Sequence, residues 1–351
     1  MKKACLITGG AGFIGCAVSR SLEADYERIF VYDNFHPQIH PTAERPEFLS
    51  PKAEILRADV CRAKDWDAFF QQYHPETIFH FAAETGTGQS LTESYRHTNV
   101  NVSGLGQMLD AIVRNQCFPE KIILTSSRAV YGEGEWIGPD GKPFYPDIRS
   151  KAQLEKKEWD YPGSRFVPFD CTVTGTCPSN VYGVTKVAQE QLLKVWCRAF
   201  DVDYSIVRLQ NVYGPGQSLY NSYTGIVMLF GRLAKQGESI PLYEDGLMLR
   251  DFVYIDDVAR AIHQVSRLSG TNRKIYDIGS GKANTMQKAA QIIAEYYHAP
   301  APHVCGKYRL GDVRHAACKI DRTEKELDWK PLYGLETGLK RLCDWIDSKM
   351  K

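Results

Sequence analysis

The glycine-rich run Thr8-Gly-Gly-Ala-Gly-Phe-Ile-Gly15 constrains the fold of this 351-residue chain more than any other segment. It directly follows an apolar, strand-like run, Ala4–Thr8, and it opens an amphipathic stretch that continues through Leu22. Glycines at such a turn leave the backbone bare, so that a pyrophosphate can lie against the N–H groups that begin the helix. The pattern therefore predicts a dinucleotide site, and the alternative is an ordinary tight turn.

A carboxylate closes the second strand-like run, since Asp33 follows Arg28–Tyr32. In a strand-helix-strand unit of this kind, a carboxylate at that place accepts hydrogen bonds from the adenosine ribose hydroxyls and repels a 2′-phosphate. NAD is therefore favoured over NADP as the cofactor. The alternative is that Asp33 is only a local backbone cap.

Strand-like runs alternate with stretches of helical periodicity, which predicts an α/β fold, a Rossmann-type doubly wound parallel sheet. We expect an NAD-binding domain at residues 1–207 with an insertion at about 133–178, where glycine, proline and charge break the rhythm. A smaller, mainly substrate-binding domain is expected at 208–351, with some segments returning to the first domain. The strand-like runs are Ala4–Thr8, Arg28–Tyr32, Glu54–Leu56, Thr77–Phe81, Lys121–Thr125 and Tyr204–Val207.

The charge balance argues against two classes of partner. Lysine and arginine total 43 against 42 aspartate and glutamate, so there is no basic excess to bind nucleic acid or an anionic membrane. No apolar run reaches the roughly 18 residues of a membrane helix. The ten cysteines include no Cys-x-x-Cys pair, which is typical of reduced, packed thiols. We therefore expect a cytoplasmic protein.

A tyrosine and a lysine four residues apart, Tyr182 and Lys186, would share one face of a helix. A nearby ammonium stabilises a phenolate and so makes tyrosine a usable acid and base near neutral pH. The buried run that ends at Thr125 is followed by Ser126-Ser127-Arg128, which puts the Ser127 hydroxyl at the carboxyl edge of the sheet, where such folds bind ligands. Alone, the spacing would equally suit a surface amphipathic pair.

With these motifs, the sequence resembles the extended short-chain dehydrogenase/reductase family, in particular its NAD-dependent nucleotide-sugar epimerases and dehydratases. The resemblance spans essentially the whole chain. One departure is Asp277, where relatives commonly carry asparagine. The further matching segments are Asp59-Val60, His80-Phe-Ala-Ala83, Asn101-Val-Ser-Gly104, Arg250–Asp257, Tyr276–Gly281, Arg309–Arg314 and Leu327–Pro331.

The resemblance implies residues for the cofactor. Asp59 and Val60 would contact adenine, the strand before Ala83 would lie beside the cofactor, and Asn101 would brace the active site. His80 is interpreted as a core histidine. The cofactor-binding residues expected on this basis are Gly9, Gly12, Phe13, Ile14, Gly15, Asp33, Asn34, Asp59, Val60, Phe81, Ala82, Ala83, Asn101, Tyr182 and Lys186.

The resemblance also implies a nucleotide-diphosphate sugar as substrate. Arg250 and Arg309 would grip the diphosphate, since planar guanidinium groups suit phosphate oxygens; the alternative for each is a surface salt bridge. Asn211 would contact the same group, or would merely occupy a turn before Gly214. The remaining substrate contacts are expected from Ser127, Arg128 and the loop residues Thr85, Thr87 and Gln89, which could otherwise form a polar loop without a special role.

The two residues after Ser127 help to distinguish the possible reactions. The 4,6-dehydratases of this family carry an Asp-Glu pair after the catalytic hydroxyl, whereas here Arg128 and Ala129 stand there, which argues against dehydration. Several runs, including Asp33–His40 and Tyr223–Ile226, resemble the dTDP-L-rhamnose 4-epimerase branch. Cys171 and Cys177 lack the metal-knuckle spacing of many relatives in that branch, so no metal site is predicted.

The implied reaction is a transient oxidation at the sugar C4 followed by reduction from the opposite face. Tyr182 would act as acid and base, Ser127 would orient the oxygen, and Lys186 would hold the ribose and stabilise the phenolate. Two alternatives remain: a nucleotide-sugar dehydrogenase, reductase or decarboxylase, or a non-catalytic dinucleotide-binding protein. Helices around Asn101–Val113 and Tyr182–Ala199 resemble those that pair in dimers of the family, so a homodimer is expected.

Overall fold

The computed structural model describes residues 3–40, 42, 44–219 and 225–350. Of the run Tyr223–Ile226, which resembles one branch of the family, Tyr223 and Thr224 lie outside the described residues. Within the described part of the chain, no helix is long and apolar enough to cross a membrane.

Strands make up the sheets of both parts of the chain. In chain order they are β1 (Ala4–Thr8), β2 (Arg28–Asp33), β3 (Ala53–Arg57), β4 (Thr77–His80), β5 (Lys121–Ser127), β6 (Trp136–Ile137), β7 (Pro143–Phe144), β8 (Arg165–Phe166), β9 (Asp203–Leu209), β10 (Asn211–Tyr213), β11 (Pro241–Leu242), β12 (Leu249–Tyr254), β13 (Lys274–Ile278), β14 (Ala283–Thr285), β15 (His303–Val304) and β16 (His315–Ala316).

Helices alternate with these strands. They are α1 (Phe13–Ser21), α2 (Ala63–Phe70), α3 (Ser94–Thr98), α4 (Gly104–Arg114), α5 (Lys151–Glu155), α6 (Val181–Ala199), α7 (Ile226–Lys235), α8 (Ile255–Arg267), α9 (Met286–Tyr296), α10 (Asp321–Leu327) and α11 (Leu335–Lys349). A turn of wider, π-type helix, Asn99–Ser103, joins α3 to α4.

The central sheet has seven parallel strands in the order β13-β9-β5-β4-β1-β2-β3. All six strand-like runs of the sequence lie in it, so the prediction of a doubly wound α/β fold is confirmed. Helices pack on both faces, and the two faces bury separate apolar cores. The order reverses between β1 and β4, and the crevice at such a switch point is where these sheets bind ligands.

The residues after β9 form a second, smaller region. Its mixed sheet pairs β10, β12, β14 and β16, and α7, α9 and α11 pack around a third apolar core. The strand β13 nevertheless joins the central sheet beside β9, and α8 packs against α1. The division of the chain at residue 207 stays a prediction.

Buried ion pairs anchor the insertion at 133–178 to this smaller region. Arg149 donates to both carboxylate oxygens of Glu244 at 2.9 Å. Arg314 binds Asp160 of the insertion and Asp245, and its backbone N–H donates to Glu133. Since removing one partner of a buried pair leaves an uncompensated charge, these contacts fix the insertion against the segment around β12.

Asp277, the departure from the resemblance, lies in the core on β13. The Tyr131 hydroxyl donates to both of its carboxylate oxygens at 2.9 Å. Burial raises the pKa of Asp277 to about 7, and the hydrogen bond from Tyr131 and the charge of Arg208 act in the opposite direction. At neutral pH the fold therefore holds a carboxyl group that ionises far more readily when the chain is unfolded.

The substitution Asp277→Asn is expected to stabilise the fold above pH 7. Because the folded pKa lies above the unfolded value, the contribution of Asp277 to stability is full below about pH 4 and is lost as pH rises to about 7. An amide keeps one acceptor for Tyr131 without this loss of about 4 kcal/mol, but its buried NH2 group costs about 2 kcal/mol, so the variant should gain about 2 kcal/mol at pH 8 and much less at pH 5. Thermal unfolding at both pH values measures this, with the exposed Glu238→Gln as control. A gain that does not depend on pH would contradict the explanation.

Candidate active site

One cleft of about 740 Å³ opens at the carboxyl ends of the central strands, and most of the predicted site residues line it. It runs from the glycine turn to the beginning of α6. The predicted residues on its walls are Gly9, Gly12, Phe13, Ile14, Gly15, Asp33, Asn34, Val60, Phe81, Ala82, Ala83, Thr85, Ser127, Tyr182 and Lys186.

The glycine turn is shaped for close approach of a phosphate. Gly9 adopts φ +63°, and a Cβ there would lie 2.8 Å from the Ala82 backbone. A Cβ on Gly15 would lie 2.5 Å from Gly10 Cα, so the turn and α1 can pack only without side chains. Gly12, at the amino end of α1, provides no side-chain cap, which leaves the first N–H groups of the helix without a side-chain acceptor from that residue. The cradle therefore fits the pyrophosphate of a dinucleotide.

Asp33, at the end of β2, accepts hydrogen bonds from two backbone N–H groups. One carboxylate oxygen accepts the Ala11 N–H at 3.1 Å, and the other accepts the Phe35 N–H at 2.9 Å. The carboxylate thus caps the glycine turn while facing the cleft. Each oxygen keeps further lone pairs, so the geometry is compatible with ribose hydroxyls as additional donors.

Two predicted cofactor residues lie beside the cleft wall rather than on it. Asp59 accepts hydrogen bonds from the Cys61 N–H at 2.9 Å and from the Asn34 side chain at 3.3 Å. Asn101, in the π-type turn, accepts from the Glu84 N–H and donates to Glu84 O and to Thr185 Oγ1. It therefore ties the loop after β4 to α6, and its role in bracing the active site stays a prediction.

The beginning of α6 places Tyr182 beside Ser127. Asn180 caps the helix, since its side chain accepts the Gly183 N–H at 2.9 Å. A Cβ on Gly183 would lie 2.5 Å from the Ala129 carbonyl oxygen, so glycine allows α6 to pack directly on the turn after β5. Burial raises the pKa of Tyr182, while a hydrogen bond with Ser127 and the charge of Arg128 lower it.

Lys186 lies one turn further along α6 and is almost fully buried. Its ammonium donates to Thr125 O at 3.0 Å and to Gln189 Oε1 at 2.8 Å. Burial lowers the pKa of Lys186 to about 7, and the negative charge of Glu190 acts against this. The effect of Lys186 on the phenol, expected from the spacing, stays a prediction.

Glu190 anchors the floor of this site through contacts that the sequence motifs did not indicate. Arg208 binds both of its carboxylate oxygens at 2.9 and 2.7 Å, and the Ser126 hydroxyl donates to it at 2.6 Å. Only the four-residue spacing from Lys186 could have suggested it. His80, interpreted as a core residue, is buried and hydrogen-bonded to Thr8 at 3.0 Å, which confirms that interpretation.

The loop after β4 divides the three residues that were expected to contact the sugar. Thr85 lines the cleft. Gln89 is buried, and its side-chain amide is hydrogen-bonded to Gln38 and Glu93, so it braces the loop. Thr87 uses its carbonyl oxygen to accept the Ser90 hydroxyl.

The two predicted diphosphate arginines lie in different surroundings. Arg250 is buried, and its guanidinium donates to the carbonyl oxygens of Leu249, Val313 and Arg314. Arg309 is exposed, with its guanidinium 5.3 Å from the centre of the Tyr243 ring.

Arg128 and Asn211, both predicted as substrate contacts, are brought together. The Arg128 Nε donates to Asn211 Oδ1 at 2.8 Å. Burial lowers the pKa of Arg128 to about 9, and the neighbouring charge of Arg250 acts in the same direction. The sequence indicated both residues but not their contact.

Several cleft residues were not predicted from the sequence. They come from the loop after β2, from the segments on either side of β10 and from α11, which approach the glycine turn only in the folded chain. They include His36, Gln38, His40, Arg45, Phe48, Gln210, Gln217, Ser218 and Trp345.

Comparison with known proteins agrees with this geometry. The chain matches the profile of the NAD dependent epimerase/dehydratase family at residues 5–154 and 160–279. It is 53% identical over 348 residues to the dTDP-L-rhamnose 4-epimerase of Burkholderia thailandensis, which covers 99% of this chain and 96% of the relative.

Solved structures share the fold. The UDP-glucose 4-epimerase of Thermotoga maritima, solved with UDP-glucose, matches with a TM-score of 0.80 at 25% identity, covering 99% of this chain and 100% of that chain. The UDP-glucose 4-epimerase of Thermus thermophilus, solved with NAD, gives 0.79 at 23% identity, covering 98% and 99%, a likeness of fold alone. With its glycine cradle, its paired Ser127 and Tyr182 and the full-length match to relatives, the chain belongs to the NAD dependent epimerase/dehydratase family.

Proposed function

We propose that this protein is an NAD-dependent nucleotide-sugar 4-epimerase that acts on dTDP-L-rhamnose. The observation that carries the proposal is the convergence of Ser127, Tyr182 and Lys186 on the cleft that the glycine turn opens. The identity of 53% with a dTDP-L-rhamnose 4-epimerase over nearly the full chain supports the choice of sugar.

The cofactor would lie along the wall from the glycine turn to Lys186. Gly9, Gly12 and Gly15 would hold the pyrophosphate, and Asp33 the adenosine ribose. NAD, when bound, supplies reversible two-electron oxidation and reduction. This chain's own residues would hold it against the cleft wall.

Tyr182 is the group placed to move the proton. As phenolate it accepts the proton of the sugar C4 hydroxyl, and as phenol it returns a proton to the C4 oxygen. Ser127, hydrogen-bonded to Tyr182, is placed to donate to the same sugar oxygen and so to orient it. Lys186 contributes a positive charge nearby when it is protonated, which burial opposes and Glu190 favours.

Two guanidinium groups support an anionic substrate, that of the buried Arg250 and that of the partly buried Arg128. Within the described residues, neither Arg128 nor Arg250 forms an ion pair with a carboxylate, whereas Arg149 and Arg314 do. Burial lowers the pKa of Arg250 as well as that of Arg128. Asp312 acts on both cations without forming an ion pair with either, and the diphosphate of a nucleotide sugar would supply a direct counter-charge.

Dehydration is disfavoured because the positions after Ser127 hold Arg128 and Ala129. Elimination of water needs a further acid and base there, and a guanidinium and a methyl group supply neither. A dehydrogenase or reductase with the same cleft would differ in consuming or producing NADH during turnover.

Turnover of dTDP-L-rhamnose in D₂O is expected to invert C4 without deuterium on any ring carbon, because a 4-epimerase exchanges no carbon-bound proton with solvent. Product mass should equal substrate mass, with no net NADH absorbance. NMR and mass spectrometry measure both, and a product lighter by one water or labelled at C3 or C5 would overturn the proposal.

The substitution Tyr182→Phe should lower kcat by at least about a hundredfold while NAD stays bound, because the proton carrier is lost and the ring is kept. Steady-state kinetics and cofactor released on denaturation measure the two effects. Near-normal activity in the variant would remove Tyr182 from its role.

The substitution Asp33→Asn should weaken NAD binding about tenfold and improve NADP binding, since the amide no longer repels a 2′-phosphate. Calorimetric titration with both cofactors gives the ratio of the two affinities. An unchanged ratio would leave Asp33 as a cap for Ala11 and Phe35 alone.

The homodimer is proposed from apolar side chains on neighbouring helices. Tyr95 on α3 is 81% exposed, and Val195 and Leu192 on α6 are 65% and 42% exposed. The two helices contact each other, so these side chains offer a surface for the same helices of a second copy. A cytoplasmic location, which the ten free cysteines favour, also stays a prediction.

Val195→Glu is expected to convert a dimer to a monomer, because a charge would be buried in the proposed contact. Light scattering coupled to size exclusion reports the mass. Val173→Glu, at an equally exposed valine of the insertion, is the matched control. Unchanged mass in both variants would contradict the placement.

A further inference from the structure

Arg128 is partly buried and lies next to the proposed acid and base. It directly follows Ser127, its charge lowers the pKa of Tyr182 at the beginning of α6, and it forms no ion pair with a carboxylate among the described residues. We propose that Arg128 is a positioning residue that stabilises the phenolate form of Tyr182, with Asn211 fixing its guanidinium. The inference rests on the proposed function, since it assigns the acid and base of that reaction a charged partner.

The backbone forces this proximity. A Cβ on Gly183 would lie only 2.5 Å from Ala129 O and 3.2 Å from Ala129 C. The residues before these two, Tyr182 and Arg128, therefore belong to backbone segments in direct contact. Asn180 fixes the first turn of α6 through the Gly183 N–H, so Tyr182 has little freedom to move away.

Asn211 restrains the other side of Arg128. It begins β10, which pairs with β12, and its side-chain oxygen accepts the Arg128 Nε at 2.8 Å. Only Nε is used in this contact, so the two terminal nitrogens of the guanidinium remain for other acceptors. A long side chain held at Nε presents its charge at a fixed place rather than over a range of rotamers.

Charged and polar groups from several packed elements surround the pair. Facing Tyr182 are the Ser127 hydroxyl from β5 and the Arg128 charge from the following turn. Facing Arg128 are Arg250 from β12 and Asp312 from the loop before β16.

Lys186, on the same helix as Tyr182, is charge-coupled to Glu190 and to His80 on β4. Lys186 gives its hydrogen bonds to Thr125 O and Gln189. The charge of Arg128 lowers the pKa of the phenol, and Lys186 would be a second positive charge near it.

The test is direct titration of Tyr182 in the NAD-bound enzyme by phenolate absorbance. The absorbance of Tyr182→Phe is subtracted, so that the contribution of the other tyrosines cancels. Loss of a positive charge within about 4–6 Å shifts a pKa by about one unit or more. Arg128→Met should therefore raise the pKa of Tyr182 by about one unit, whereas Arg128→Lys should leave it within about half a unit. Arg198→Met, near the far end of α6, removes a charge without such a shift.

Kinetics give the second readout. Because the phenolate is the active base, the acid limb of kcat at saturating sugar should move to higher pH by about one unit in Arg128→Met, whereas weaker binding of the diphosphate would raise KM at every pH. An acid limb of kcat that does not move, or an unshifted phenol titration, would overturn the proposal. An equal shift in Arg128→Lys would overturn it too, since charge would then not be the cause.

If Arg128→Met does not fold, Asn211→Ala tests the proposal instead. An upward shift of the Tyr182 pKa would support the role of Asn211 in fixing the Arg128 guanidinium, and an unchanged pKa would overturn the proposal. The titration uses no sugar, so it separates this inference from the proposed function. Failure of the wild-type enzyme to invert C4 of dTDP-L-rhamnose would refute the function while the titration still decides the role of Arg128.

Discussion

The contact between the first turn of α6 and the turn after β5 is the constraint on which the site depends. Gly183 permits it, because any side chain there would collide with the Ala129 carbonyl. Asn180 then fixes the helix start, and the two backbones carry Ser127 and Tyr182 to one point. The glycine turn and the switch in strand order bring the cofactor wall to the same edge of the sheet. Chemistry and cofactor binding thus share one rigid frame.

Buried charges complete this frame, and they fall into two groups. One group is paired: Glu190 with Arg208 under Lys186, and Glu244 with Arg149 where the insertion meets the smaller region. Such pairs cost desolvation and are stabilising only while both partners remain, so they specify one arrangement of the elements they join. The other group, Arg128 and Arg250, donates to neutral oxygens and forms no ion pair among the described residues, although Asp312 acts on both charges. That difference is what makes the second group suited to an anionic ligand.

The sequence was sufficient where function is encoded in short segments. The glycine turn, Asp33 and the pair Tyr182 and Lys186 could be predicted because local spacing decides their geometry, and each lines the cleft. Contacts between distant segments could not be predicted. The hydrogen bond from Arg128 to Asn211 joins residues 83 positions apart. Arg250 donates to the carbonyl oxygens of Val313 and Arg314, which are more than 60 residues away in the sequence. The partner of Asp277, Tyr131, comes from a different strand end and is apparent only in the folded core.

The central claim is that Tyr182 serves a reaction in which the hydrogen removed from the sugar C4 is returned to C4 of the same sugar. The most direct measurement follows dTDP-L-rhamnose carrying deuterium at C4 through turnover in ordinary water, mixed with unlabelled substrate that bears a separate mass tag on the nucleotide. The account predicts that the product keeps the deuterium at C4 and that none crosses to the tagged molecules, since the hydrogen taken from C4 would return to the same sugar before that sugar leaves the cleft. Loss of the deuterium to solvent, or its transfer to the tagged sugar, would contradict it.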